Sequence, residues 1–507
     1  MTVIASSILN INSPFFILFV SVIWVVIGIA KLKIHPFLTL MSAAILVGLL
    51  SSPLPEFSQE NKGLFHSRLD LVNSNEMDFN LAIKWSLLGF GNTAGSVGLI
   101  IALAAIIGTC MLKSGAADRI VRFLLSIFGE KRAGLVLLLS GFLLSIPVFF
   151  DTVFFLLIPI ARAMAVRLGG NYLYFVMALA GAGAITHSMV PPTPGPLIIA
   201  DGLGLEIGEA LIAGLIASIL PVVIVICLSK WFDNNFDFPM REVAGSNKQS
   251  LNDIVNKPET ELPSTWLSFC PIVLPVVLIS SVSLLKILDL QSSGSDSQQI
   301  FDLETLFAIL SFFGDPNIAM FLAAIFSLFI LAKQSLSNNE NNDKSLINLI
   351  STQLKEPIST AGIIILITGA GGAYGGMIRL SGVGKAMENV SNNFNISYIL
   401  LAWLVTAIIR IAQGSATVAM ITGVGLMAAI LSNVQDLGYH SLYIYLAIGF
   451  GSITLSWMND SGFWVVQRLS GFSEKETLKT WSVLLTAISL VGLISCLLAS
   501  KLIPLAN

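Results

Sequence analysis

The sequence predicts an all-α protein that crosses a membrane many times. Of its 507 residues, 55% are hydrophobic and 11% are charged, whereas about 25% of the residues in a soluble domain are charged. The mean hydropathy is +0.85. A spanning helix needs about 20 apolar residues, and apolar stretches of this kind recur along the whole chain. A soluble enzyme and a disordered protein are therefore excluded, and a lipid bilayer is the expected surrounding.

Twelve apolar stretches, separated by polar segments, are the predicted spans. They lie at 12–30, 36–52, 81–112, 133–165, 172–200, 207–229, 264–286, 305–332, 357–378, 396–432, 440–466 and 480–500. Because basic residues favour the cytoplasmic side, Lys31 places the first loop inside, and the basic segment 113–132 is also inside. The acidic segments 53–80 and 287–304 are then outside. Since Lys31 is the first charge, residues 1–30 are predicted to be a retained span rather than a cleaved signal.

Two parts of the sequence resemble each other, which predicts a duplicated unit. Gly181–Ser188 shares five of eight positions with Gly449–Ser456, 268 residues later. Shorter matches keep nearly the same offset, and the predicted topology gives the two copies opposite orientations. Inverted repeats are a signature of secondary transporters, although chance similarity in glycine-rich apolar sequence is the alternative. The predicted division is N-terminal spans and an external loop at 1–80, repeat 1 at 81–229, linker spans and loops at 230–354, and repeat 2 at 355–507.

Glycine and proline runs interrupt three of the apolar stretches. They are Gly89–Gly95, Pro191–Pro196 and Gly369–Gly376. Prolines remove backbone donors, and non-helical backbone at membrane depth persists only when it is buried in protein or lines a wet cavity. The runs therefore predict unwound segments or re-entrant hairpin tips, whose N–H groups suit an anion. For the glycine runs, close helix packing is the alternative.

Five ionisable residues lie in otherwise apolar sequence: Asp151, His187, Arg379, Arg410 and Asp460. Because a charge at the bilayer centre is unfavourable, such residues usually mark a transport pathway or a charged partner. The planar fork of Arg410 predicts a carboxylate site, with a salt bridge to Asp151 or Asp460 as the alternative. Asp151 is the predicted carrier of a proton or cation, with a structural hydrogen bond or ion pair as the alternative, and His187 and Asp460 are the second candidates. Arg379 is predicted to be interfacial.

Polar and small residues near these charges complete the predicted binding site. The predicted side-chain contacts are Thr186, Ser188, Gln413, Ser415, Thr417, Asn459 and Ser461, and the predicted backbone contacts are Gly195, Gly371, Gly372 and Gly462. They flank the breaks, where polar groups are unfavourable unless they are used. Arg162 and Arg167, in contrast, are predicted to be helix-end anchors.

No pattern of catalysis, metal binding or cofactor binding accompanies these residues. The sequence has no HExxH motif and no Walker motif. Its four cysteines are far apart in apolar runs and predict packing only. The net charge of −3 offers no basic face for nucleic acid. We therefore expect no catalytic residue, metal, cofactor or nucleic-acid partner, and a membrane enzyme or a channel is a rival interpretation.

Four motifs resemble those of the gluconate permease family, the gluconate:proton symporters of the wider ion-transporter superfamily. They are THSMVPPTPGP at 186–196, GAGGAYGGMIRLSGVG at 369–384, RIAQGSATVAMIT at 410–422 and SWMNDSGFW at 456–464. The run FSEKETLKTW at 472–481 is also similar to a family motif, and the resemblance extends from residue 80 to the end. It implies a multi-pass inner-membrane protein with inverted repeats and re-entrant hairpins. The implied activity is symport of a proton with a small hydroxy-acid anion, namely gluconate or a related sugar acid, glycerate or D-serine.

Three positions depart from the family pattern. The family usually has histidine where this chain has Thr193 and Trp457, and glutamate where it has Asp151. These changes leave the particular substrate open but not the transport class. A cation/proton antiporter is the alternative function, and it would use buried carboxylates without needing Arg410. The sequence does not decide between proton and sodium, or between a monomer and a homo-oligomer.

Overall fold

The computed structural model of the chain describes residues 14–51, 78–241, 258, 261–292, 308–338, 346–383, 386, 397–432, 434 and 437–505. Within these ranges the regular structure consists of helices, without a strand. Seven helical segments of the described chain are long and apolar enough to cross a membrane, and five shorter helices are also apolar. The predicted class, a polytopic all-α membrane protein, is therefore confirmed.

The helices of the described ranges are numbered in chain order. They are α1 Pro14–Val26, α2 Pro36–Leu50, α3 Asp78–Lys113, α4 Ala116–Phe128, α5 Ala133–Leu144, α6 Phe150–Leu168, α7 Tyr172–Met189, α8 Pro194–Gly202, α9 Ile207–Ala217, α10 Ile219–Asn235, α11 Thr265–Ser292, α12 Pro316–Asn338, α13 Leu346–Leu380, α14 Tyr398–Gln413, α15 Ala416–Leu431, α16 Leu442–Gly451, α17 Ser461–Ser470, α18 Glu474–Thr477 and α19 Val483–Leu502. A π-helical turn, Leu478–Ser482, joins α18 to α19.

Two helix pairs form hairpins, α5–α6 and α14–α15. The connection of the first is 145–149, and that of the second is Gly414–Ser415. Helix α5 has 12 residues, and α14 and α15 have 16 each. At 1.5 Å per residue these helices extend about 18–24 Å, which is less than the 30 Å hydrocarbon core. Gly414 has a φ of 95°, and a Cβ there would lie 2.1 Å from the Asn459 carbonyl oxygen, so only glycine fits this tight tip.

Two further helices are interrupted where the sequence turns from apolar to polar. The first break, 190–193, separates α7 from α8, and the second, 452–460, separates α16 from α17. The predicted interruption at the proline run is therefore confirmed. The Thr193 hydroxyl donates to the carbonyl oxygens of His187, at 3.0 Å, and Val190, at 2.7 Å. It thereby satisfies acceptors that the prolines leave without helical donors.

The two glycine runs are not interruptions, so this prediction is wrong. Helices α3 and α13 pass through them without a break. A Cβ on Gly371 would lie 1.6 Å from Ile421 Cγ2, and one on Gly372 would lie 2.0 Å from Thr93 Oγ1. These glycines allow α13 to approach α15 and α3 closely, as small residues do at helix interfaces in membranes. Gly371 and Gly372 are therefore helix-packing positions rather than free backbone donors for a substrate.

Substitution of Gly371 by alanine is expected to destabilise the protein by about 1–3 kcal/mol, the usual effect of overpacking. The added methyl group would collide with Ile421 of α15. Gly376 is the matched control, because it lies in the same helix and a Cβ there meets nothing within 4 Å. Both variants gain the same helix propensity, so the difference between their thermal unfolding in detergent isolates the contact. Equal stability of the two variants would contradict the packing explanation.

The order of elements is similar in the two halves of the chain. A long helix, a hairpin, a broken helix and a final span follow one another in each half: α3, α5–α6, α7–α8 and α9–α10, then α13, α14–α15, α16–α17 and α19. This order is what a duplicated unit would give. The inverted orientation of the two units, and the four-part division of the chain, stay predictions.

Arg162 is not the helix-end anchor that the sequence suggests. Its side chain is buried and donates to the Tyr172 hydroxyl, at 3.0 Å, and to the Ser470 carbonyl oxygen, at 3.2 Å. A third bond reaches the carbonyl oxygen of Arg241. The guanidinium therefore joins α6, α7 and the end of α17. Arg167, in contrast, forms an exposed ion pair with Glu130 at 2.9 Å.

Candidate functional site

The hairpin tips and helix breaks meet around one cavity of about 290 Å³, the narrow cavity. Its walls come from the start of α6, the end of α7, the end of α14, the tip before α15, the start of α17 and the π-helical turn. Nine residues of the predicted site line it: Asp151, His187, Ser188, Arg410, Ser415, Thr417, Asp460, Ser461 and Gly462. Residues that lie up to 311 positions apart in sequence, from Asp151 to Gly462, are thus brought together.

A buried ion pair joins Arg410 to Asp460 in this cavity. Arg410 Nη2 lies 2.5 Å from Asp460 Oδ2, and the two side chains are 3% and 8% exposed. The same carboxylate accepts a hydrogen bond from the Ser456 hydroxyl and one, at 3.0 Å, from the Gly462 backbone N–H. Asp460 is the N-cap residue of α17. Of the predicted alternatives for Arg410, the salt bridge to Asp460 is the one the structure contains.

The ion pair leaves part of the Arg410 fork without an acceptor. Its Nε and Nη1 atoms are buried and have no hydrogen-bond partner among the described residues. The same holds for His187 Nδ1 and the Ser188 hydroxyl, and all three side chains line the narrow cavity. Buried polar groups are nearly always paired, so each exception requires an explanation. A guanidinium with two unpaired donor nitrogens beside a small cavity is suited to a carboxylate ligand.

Asp151 occupies the first turn of α6 and faces the cavities without a partner. Its side chain is exposed, and among the described residues its carboxylate has no hydrogen bond and no ion pair. This environment contrasts with that of Asp460, which has three donors around it. The two carboxylates of the site therefore differ in how freely each could accept a proton.

A second, wider cavity of about 880 Å³ adjoins the narrow one. Asp151, Thr152 and Ser461 line both cavities. The wide cavity also reaches Lys113 and Arg468, which lie on the side that the charge pattern predicts to be cytoplasmic. The wide cavity thus gives the narrow one a route toward that side.

Comparisons with known proteins identify the family of the chain. The family model described as GntP family permease matches residues 73–503. The chain belongs to the GntP permease family. A gluconate permease of Pseudomonas aeruginosa is 34% identical over 485 residues, covering 95% of this chain and 96% of the relative. An uncharacterized permease of Haemophilus influenzae is 34% identical over 493 residues, covering 96% of this chain and 92% of the relative.

A solved structure of a membrane transporter has a similar fold. It is MtrF of Neisseria gonorrhoeae, from a class of antimetabolite efflux pumps, with a TM-score of 0.60 and 14% identity over 94% of this chain and 96% of that one. This likeness concerns the fold alone. Together with the seven candidate spans, the family membership establishes a multi-pass inner-membrane permease, as the sequence predicted, and its relatives are permeases rather than enzymes.

Several residues predicted for the site of this permease lie outside the narrow cavity. The Thr186 hydroxyl donates to the carbonyl oxygens of Phe142 and Ala182, and Gly195 packs against Met420, whose Cε would lie 2.1 Å from an added Cβ. Gln413 and Asn459 donate to the backbone, at 3.2 and 2.8 Å. These five contacts, with Gly371 and Gly372, hold the helices and tips together.

Gly462 lines the cavity, but the prediction that it offers a free backbone donor is wrong. Its N–H donates to Asp460 Oδ1 at 3.0 Å, because Asp460 caps α17. An N-cap side chain fills the position that an anion would otherwise take at a helix N-terminus. The side chains, and above all Arg410, are therefore the donors that remain for a ligand.

Two of the three positions that depart from the family pattern, Thr193 and Trp457, are outside the narrow cavity as well. Thr193 closes the first break through its bonds to backbone carbonyls. Trp457 donates through Nε1 to the carbonyl oxygen of Ile411 at 2.9 Å. Both side chains therefore bond to backbone carbonyl groups and do not line the narrow cavity.

Among the lining residues of this permease that sequence reasoning missed are Thr360 and Trp481. Thr360 lies on α13, before the glycine run that drew attention to this helix. Trp481 lies in the π-helical turn before α19. An aromatic or hydroxyl residue in an apolar span is common, so neither carries a signal of its own. The only hint was that Trp481 ends the motif FSEKETLKTW.

Proposed function

We propose that this permease is a secondary active symporter that moves a proton together with a small hydroxy-acid anion across the inner membrane. The anion would be gluconate or a related sugar acid, glycerate or D-serine. One observation carries the proposal: Arg410 lines the narrow cavity, and two of its buried donor nitrogens, Nε and Nη1, have no hydrogen-bond partner among the described residues. The name of the gluconate permease relative supports the same substrate class.

The ligand carboxylate would bind the free side of the Arg410 guanidinium. A guanidinium presents its donors in a planar fork, and the bonds it makes to carboxylates are among the strongest in proteins. The hydroxyls of Ser188, Ser415, Thr417 and Ser461 line the same cavity and would bind the ligand hydroxyls. The volume of about 290 Å³ is at the lower end of the range for small-molecule sites, which favours an acid of a few carbons.

The charges of the cavity favour coupling to a cation. Asp151, Asp460 and Arg410 line it, so their ionised forms, with neutral His187, sum to −1. An organic monoanion would change this to −2. Uncompensated charge is unfavourable in a buried site, so a proton or another cation should enter with the anion. Symport of one proton with one monoanion would also make the cycle electroneutral.

Asp151 is the better candidate for the proton carrier, and Asp460 is the fixed counter-ion of Arg410. Asp460 already accepts bonds from three donors, which hold its carboxylate beside Arg410. Asp151 has no such donor among the described residues. It also lies where the two cavities meet, so it could exchange a proton with the wide cavity.

A cation/proton antiporter is the rival function. It would need the carboxylates, but it would leave the two unpaired Arg410 donors without a role. For the same reason, a channel or a membrane enzyme is less well supported. The Arg410 fork is therefore the feature that separates the symporter from its rivals.

Uptake by proteoliposomes under an imposed inward proton gradient tests the proposal. Radiolabelled gluconate, glycerate and D-serine would be compared, with an uncoupler and with a sodium gradient in place of the proton gradient. We expect one of these compounds to accumulate, to be lost with the uncoupler, and to respond little to membrane potential. Accumulation driven by sodium alone would replace the proton by sodium. Dissipation of the pH gradient by sodium, without uptake of any compound, would favour the antiporter.

A further inference from the structure

Trp481 is the largest side chain of the narrow cavity that the proposed mechanism does not use. It is 2% exposed and lies in the π-helical turn Leu478–Ser482. Such turns are rare and are frequent at functional sites. A tryptophan N–H usually has a hydrogen-bond partner when it is buried, and the partner here leads to the ion pair.

A chain of hydrogen bonds runs from Trp481 to Arg410. Trp481 Nε1 donates to the Ser456 hydroxyl oxygen at 2.7 Å. The Ser456 hydroxyl in turn donates to Asp460 Oδ2, the same atom that pairs with Arg410 Nη2 at 2.5 Å. The neighbouring residue, Ser482, donates to the Ser456 backbone carbonyl. The π-helical turn thus holds both the side chain and the backbone of Ser456.

The hydrogen bond from Trp481 determines the direction of the Ser456 hydroxyl hydrogen. A hydroxyl has a single hydrogen and rotates to suit its neighbours. Because the Ser456 oxygen accepts the Trp481 N–H, its own hydrogen is left to donate to Asp460. Without the tryptophan donor the hydroxyl could rotate away, and Asp460 would lose one of the bonds that fix its position beside Arg410.

Trp481 also contacts the start of α6, the helix that carries Asp151. Its ring stacks on the ring of Phe150, with centroids 5.6 Å apart and an interplanar angle of 16°. Phe150 is the first residue of α6 and immediately precedes Asp151. One side chain therefore contacts both the support of the Arg410–Asp460 pair and the helix start that carries Asp151.

We propose that Trp481 is a positioning residue for substrate binding, which acts through Ser456 to hold Asp460 and Arg410 in the geometry that receives the anion. This inference rests on the proposed function, since the guanidinium that Trp481 positions is the proposed anion site. Trp481 does not need to touch the ligand for this role. Its contribution should therefore appear in affinity rather than in the maximal rate of transport.

The first test is a pair of substitutions and their combination, measured by proton-driven uptake of radiolabelled gluconate. Trp481→Phe keeps an aromatic ring on Phe150 and removes the N–H. We expect its KM to rise roughly three- to tenfold, the effect of one buried hydrogen bond, with the maximal rate nearly unchanged. Ser456→Ala should raise KM at least as much, and the double variant no further, because both residues act on one chain. An unchanged KM in Trp481→Phe, or fully additive effects, would overturn the inference.

Trp403 supplies the matched control. Its Nε1 donates to the Ser489 hydroxyl at 2.9 Å, a similar bond outside both cavities. Trp403→Phe should therefore leave the KM for gluconate unchanged. A KM increase equal to that of Trp481→Phe would show a general packing effect and would overturn the positioning role.

A second readout does not depend on transport. In fluorotryptophan-labelled protein, the fluorine NMR signal of Trp481 is assigned by its absence in Trp481→Phe. Asp460→Asn should shift this signal, and adding Ser456→Ala should remove the response to Asp460→Asn. If the chemical shift of the Trp481 signal is unchanged in Asp460→Asn, the inference is overturned, whatever the substrate is. If the signal responds but no compound is transported by the wild type, the proposed function fails while the hydrogen-bonded chain stands.

Discussion

Replacement of Arg410 by lysine is expected to reduce the ratio of maximal uptake rate to KM by about 100-fold, equivalent to about 2.7 kcal/mol. Lysine keeps the positive charge beside Asp460 but presents a compact ammonium instead of a planar fork. The donors lost include the buried Nε and Nη1 positions, which have no partner among the described residues. Because hydrogen bonds to charged groups contribute about 1.5–3 kcal/mol each, loss of the fork accounts for the size of the effect. The measurement is initial uptake of the transported anion by proteoliposomes as its concentration varies.

Arg167→Lys is the control for this substitution. Arg167 also pairs with an acid, Glu130, at 2.9 Å, but both side chains are about half exposed, and exposed ion pairs contribute little. Uptake by the Arg167→Lys variant should match that of the wild type. Wild-type uptake in Arg410→Lys would remove the guanidinium from the proposed site, and the antiporter would then become the better explanation for the two carboxylates that line the cavity.

The sequence predicted the fold correctly where a residue pattern has only one structural consequence. Pro191 and Pro192 lack the backbone N–H that a continued helix needs, and the break at 190–193 lies there. Glycine has two uses, since it tolerates both irregular backbone and close helix contact. The run Gly369–Gly376 serves the second use, which becomes visible only when Ile421 and Thr93 of other helices lie against it. The sequence alone could not distinguish the two.

The candidate site, too, could be predicted from the sequence only in part. Asp151, Arg410 and Asp460 could be found because charges in apolar sequence are unfavourable without a role. Which acid pairs with Arg410 could not be found, because the choice depends on how α14 and α17 meet. The role proposed for Trp481 could not be predicted either, because it depends on a hydrogen bond to Ser456, which lies 25 positions away in sequence. Residue type therefore predicts which groups are involved, while partner and orientation need the fold.

Replacement of Asp151 by asparagine is expected to separate substrate binding from proton coupling. Asparagine resembles a protonated aspartate in shape and charge, so the cavity can receive the anion without a proton. Exchange of external for internal substrate should therefore persist, whereas net accumulation driven by a pH gradient should fall by about tenfold or more. In the wild type, uptake should rise as the external pH falls, because the proton is a co-substrate. In Asp151→Asn this pH dependence should be absent. Both are measured in proteoliposomes, by counterflow and by gradient-driven uptake.

Asp118→Asn is the control, because Asp118 forms an ion pair with Arg122 at 3.3 Å, in which both side chains are partly exposed, and it lines neither cavity. Its accumulation and pH dependence should be those of the wild type. If Asp151→Asn still accumulates substrate with the wild-type pH dependence, Asp151 does not carry the proton. The proton carrier would then be one of the second candidates, His187 or Asp460, which also line the narrow cavity. Loss of both exchange and accumulation would instead mean that the Asp151 carboxylate is needed to form the site itself, so that the division of roles between the two acids would have to be abandoned.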